Sequence, residues 1–97
     1  MNIPKTIRIG AITYTVEFCA PDEMDNNFGL VLYSTNEIKL STTLRGAGID
    51  AVFWHEVFHV VLEQSGHAKL KNNEGLMDAL GYGFAAFMKA NPKVFKE

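Results

Sequence analysis

The stretch His55-Glu56-Val57-Phe58-His59 sets two imidazoles four positions apart, with a carboxylate directly after the first. On an α-helix this spacing puts both rings on one face, one turn apart, so that both can reach a single ion. Zinc accepts neutral imidazole nitrogen at about 2.0–2.1 Å in a tetrahedral shell, and a helical histidine pair supplies half of that shell. Glu56 can then reach a water at an open coordination position. Zinc lowers the pKa of a bound water from roughly 15.7 to about 7, and a neighbouring carboxylate can take the proton and return it to a leaving amine. The expected chemistry is hydrolysis of a bond in a peptide or protein substrate, with Zn2+ as cofactor and Glu56 as general base.

Two histidines leave a third ligand to be found, and the candidates are Glu74, His67 and Asp78. Glu74 is preferred because it falls in the first turn of a second predicted helix, where the macrodipole favours a carboxylate. Asp78 lies one turn further along the same face. From there it can accept the other ring N–H of a ligating histidine, His55 foremost, and so fix the tautomer. Tyr33 and Tyr82 are candidate transition-state hydrogen-bond donors, though no spacing argument singles out either. Trp54 precedes the motif and is expected in the core rather than along a cleft.

The segment Asn73-Glu74-Gly75-Leu76-Met77-Asp78-Ala79-Leu80-Gly81 resembles the NExxxDxxG segment of gluzincins, thermolysin-like peptidases whose third zinc ligand is a glutamate on a second helix. The resemblance implies Glu74 as that ligand, Asp78 as the aspartate orienting a zinc-bound histidine, and Glu56 as the catalytic base. The whole layout is similar to short phage and prophage HExxH proteins related to the ImmA/IrrE peptidases, and implies a small zincin-like domain of phage or prophage origin. Specific similarity runs from His55 to Leu80, with the Asn91-Pro92 end. The short connection between His59 and Glu74 lacks the loops of large gluzincins, so their oxyanion-stabilising residues do not carry over. Ser65 stands where a metzincin would place its third histidine. His67 is therefore left either to polarise a substrate carbonyl, as a further transition-state donor, or to lie solvated in its loop.

The elements that must hold these groups can be read from periodicity. Ile7, Ile9, Ile12, Tyr14, Val16 and Phe18 recur at period two around Gly10-Ala11, which predicts a hairpin. Residues 21–27, PDEMDNN, read as a loop. A second hairpin is predicted from Phe28–Tyr33 and Glu37–Ser41, turning at Ser34-Thr35-Asn36. Glu37–Ser41 is the expected edge strand, able to receive an extended peptide by backbone pairing. Gly46 and Gly48 mark a break, after which Asp50 is expected to cap a buried helix from Ala51 to about Ser65, ended by Gly66. Asn72 or Asn73 caps the second helix and Pro92 halts it, with Leu76, Leu80, Phe84, Phe87 and Met88 facing the core.

The 97 residues suffice for one domain, expected to span residues 1–97 as an α+β fold: antiparallel hairpins, an active-site helix, then a ligand-bearing helix. A net charge of −2 with scattered Lys and Arg argues against direct nucleic-acid binding. With Cys19 the single cysteine no intrachain disulfide forms, and no run is long and apolar enough for a membrane span, so a cytoplasmic protein is expected. A different class of function remains in view: a non-catalytic, zinc-stabilised binding or regulatory protein. A structural zinc site normally fills all four positions with Cys or His and has no use for Glu56.

Overall fold

The computed structural model describes residues 2–95. Strands β1 (Thr6–Ile9) and β2 (Ile12–Cys19) pair antiparallel across the Gly10-Ala11 turn, where Gly10 adopts a φ of 62° that suits glycine. Strands β3 (Gly29–Leu32) and β4 (Glu37–Ser41) form the second antiparallel hairpin. Both hairpins follow the alternation of the sequence. The joint between them does not extend the antiparallel pattern: β2 and β4 pair in parallel, with Val16 opposite Ile38, and the mixed sheet runs β1-β2-β4-β3.

This order corrects the expected edge. Strand β4 is internal and β3 is the edge. Ile38 and Leu40 are completely buried, as is nearly all of Ser41, so β4 gains most from neighbours on both sides. The alternation of Lys39 with apolar residues reflects a one-sided sheet rather than an edge position. Residues 21–27 are also more ordered than a bare loop, since Pro21–Met24 form a 3-10 turn that buries Met24 fully.

Helix α1 (Ala47–Gln64) crosses one face of the sheet. Its Phe53, Val57 and Val60 meet Ile9, Tyr14, Val16, Ile38 and Leu40 in the core. The helix begins earlier than the expected Asp50 cap. Gly46 occupies the N-cap with φ 56° and ψ −132°, a conformation open to glycine, so the turn into the helix is completed before Asp50. Gly48 then lies within the first turn. At the other end the Gln64 side chain donates to the Ile9 carbonyl (2.9 Å), tying the helix to β1.

Beyond Gly66 the one-turn helix α2 (Ala68–Lys71) precedes α3 (Glu74–Ala90), a division absent from the sequence reading. Asn73 caps α3 by accepting from the Leu76 N–H (3.0 Å), as expected. The α1 helix is packed between the sheet and α3. Met77 and Gly81 form the tightest part of the α3 face, while Phe87 is about half exposed and rests edge-on against Phe95. Trp54 packs between Phe53 and Phe84 on the α3 side of α1.

Candidate metal centre

The helical spacing of His55 and His59 turns both rings to one side of α1, where their Nε2 atoms stand 3.1 Å apart. Across from them, in the first turn of α3, Glu74 brings Oε2 to 2.8 Å from His55 Nε2 and Oε1 to 3.3 Å from His59 Nε2. These three residues form a group close enough to hold a metal ion. One ligand atom from each of the three lies within 4.8 Å of the others, with each Glu74 oxygen turned to a different imidazole.

Proton accounting supports the fit. His55 Nδ1 lies 2.7 Å from Asp78 Oδ1, and a carboxylate accepts, so the ring proton sits on Nδ1. On the other side of the ring, His55 Nε2 faces another imidazole nitrogen and a carboxylate oxygen. Two imidazole nitrogens and a carboxylate gathered in this way can hold a cation between them. Burial holds His59 below the ordinary imidazole pKa, against the opposing pull of Glu74 and of a hydrogen bond to the Lys71 backbone. The lowered pKa favours the neutral ring, the form a metal requires.

Glu56 is only 6% exposed, with Oε2 3.7 Å from His55 Nε2. Burial, with the charges of Glu74 and Asp78 adding to it, pushes its carboxyl up to about 8 in the metal-free protein. A divalent cation beside it would act in the opposite direction and favour the carboxylate. The edge strand confines this side chain. A Cβ added at Gly29 would lie 2.6 Å from Glu56 Oε2 and 2.7 Å from Val52 Cγ1. An isolated glycine in a strand pattern is a signal for such close approach, and sequence reasoning did not use it here.

The centre opens into a cleft of about 590 Å³ between β3 and the two helices, lined by Phe28, Leu30, Val31 and Tyr33 on the strand side and Lys71 and Asn72 on the other. Burial foremost, then the charge of Glu63, raises the Tyr33 phenol to about 12, so it remains a hydrogen-bond donor. The other residues singled out from sequence stand elsewhere. Tyr82 is 68% exposed and outside the cleft lining, facing solvent from α3. His67 is exposed at the start of α2, also outside the lining, because the chain turns away after Gly66. Trp54 likewise lies outside this cleft. Of the three proposed third ligands, Glu74 is therefore the one that faces both histidines, Asp78 touches the far side of His55, and His67 joins neither. Among the described residues no helix is long and apolar enough to cross a membrane.

No family model, curated protein or solved structure matches the chain.

Proposed function

We propose that this protein is a zinc-dependent peptidase, in which His55, His59 and Glu74 hold the metal and Glu56 is the general base. The observation that carries the reading is a division of labour among four side chains. Three converge on one point, while the fourth, Glu56, is buried beside that point without completing the ligand set. Two imidazoles and one carboxylate are a donor set typical of catalytic zinc, and three protein ligands leave a coordination position free.

When bound, zinc supplies Lewis acidity, making a water acidic enough to lose its proton near neutral pH. Glu56 accepts that proton as the water oxygen bonds to the carbonyl carbon, and delivers it to the departing amine nitrogen as the C–N bond breaks, leaving a carboxylic acid and an amine. Asp78 holds the His55 ring in the tautomer that points its lone pair at the centre. Tyr33 offers a phenolic hydrogen to charge developing on a substrate carbonyl. The outer side of β3 borders the cleft and can pair with an extended peptide through its backbone. A peptide substrate is supported by this edge, by the apolar Phe28, Leu30 and Val31 beside it, and by the absence of any basic stripe in the sequence.

A second reading is a zinc-stabilised binding module, for which the small size of the chain speaks. Against it stands Glu56, a buried carboxylate beside the centre that a structural site filled by Cys and His has no use for. The deciding experiment is metal analysis of the purified protein followed by cleavage assays across a broad peptide library, with and without chelator. Stoichiometric zinc and chelator-sensitive cleavage are expected. Zinc without cleavage of any peptide supports the binding module, and no metal uptake overturns both.

A further inference from the structure

The connection from α1 to α3 is gathered at one residue. Lys71 Nζ lies 2.7 Å from Glu63 Oε2 on the last turn of α1 and 4.5 Å above the ring centroid of Tyr33, beside the end of β3. The same residue's backbone lies beside the His59 ring. Two residues later Asn73 caps α3, and Glu74 follows at once. One side chain thus joins the helix bearing both histidines, the strand side of the cleft, and the segment that delivers the third ligand.

We propose that Lys71 is a positioning residue of the metal centre: by clamping the connection onto Glu63 and Tyr33, it sets where the His59 ring and Glu74 stand, without being a ligand. The inference rests on the zinc reading above. Its physical basis is the exposure of Glu74, whose side chain is 67% accessible and so receives little guidance from packing of its own. Its position depends on where its backbone begins. An exposed ion pair or a cation–π contact is weak singly, but here both act on one ammonium whose side chain is only 20% exposed. Groups that orient metal ligands commonly influence affinity without touching the ion.

The test is zinc affinity, measured by competition with a chromophoric chelator, for wild type, Lys71→Ala, Lys71→Arg and Tyr33→Leu, alongside melting of each metal-free protein. Lys71→Ala is expected to bind zinc about ten-fold more weakly or worse. Tyr33→Leu should weaken it in the same direction. Lys71→Arg should recover most of the loss, because a guanidinium can both pair with a carboxylate and stack on a phenol ring. Metal-free melting should be similar throughout. Unchanged affinity in Lys71→Ala overturns the assignment, as does an arginine variant no better than alanine. A metal-free Lys71→Ala protein destabilised enough to explain the weaker binding overturns it as well. Wild-type protein that takes up no zinc sinks the metal reading and this inference together, whereas zinc-binding wild type with an indistinguishable alanine variant sinks this inference alone.

Discussion

Gly81 of α3 lies directly against the backbone of His55 on α1: a Cβ added there would stand 2.6 Å from the His55 nitrogen and 2.7 Å from the Ala51 carbonyl oxygen. The atoms in the way are helix backbone, which cannot swing aside. The absence of a side chain at one position therefore sets how near α3 comes to α1, and so how near Glu74 and Asp78 come to His55.

Gly81→Ala should force the helices apart and destabilise the protein by roughly 1–3 kcal/mol, the usual cost of overpacking, despite alanine's better helix propensity. Zinc affinity should fall with it. Urea unfolding with and without metal checks both, and a more stable variant would show that the helices can slide without loss.

Asp78→Ala removes the acceptor that holds His55 Nδ1–H, and zinc affinity is expected to drop about 10- to 100-fold with the fold retained. The measurement is chelator competition, with circular dichroism as the control for folding. Affinity equal to wild type would show that the tautomer is set without Asp78.

Glu74→Ala should leave two imidazoles and reduce metal occupancy sharply, while His67→Ala should leave it unchanged, since His67 lies outside the cleft. Metal content after dialysis against a weak chelator separates the two. The reverse pattern would require a rearranged connection that brings His67 to the histidine pair.

Glu56→Gln is expected to retain zinc and lose at least about 100-fold in cleavage rate, the contribution of a general base. Equal cleavage by the variant would remove Glu56 from the mechanism. The measurement is made on whichever peptide the wild-type protein cuts.

The same substitution has a second, metal-free consequence. The Glu56 carboxyl is raised from 4.5 to about 8 by burial, so the folded state holds its proton more tightly than the unfolded state. The associated stability is fully present below pH 4.5 and is lost as pH rises through 8. At 1.36 kcal/mol per unit the loss is at most roughly 5 kcal/mol. Chelated wild type should therefore weaken between pH 5 and 8 relative to Glu56→Gln in urea unfolding. Parallel pH profiles for the two proteins would mean that Glu56 is hydrated in the metal-free state.

What the sequence by itself determined is local. The four-residue spacing of His55 and His59 needs only a helix to put two rings on one side, and the period-two runs around Gly10-Ala11 and Ser34-Thr35-Asn36 need only a turn to become hairpins. Asn73 and Pro92 bracket α3 through the chemistry of a cap and a missing N–H. The tertiary structure decided whatever depends on two segments choosing each other. Parallel pairing of β2 with β4 made β3 the edge, because Ile38 and Leu40 lose most water from an internal strand and no local pattern says which neighbour provides it. The turn after Gly66 carried His67 away, and the contact at Gly81 brought Glu74 and Asp78 in. Gly29 against Glu56, and Lys71 between Glu63 and Tyr33, join residues far apart along the chain, whose proximity exists only once the helices and sheet have packed.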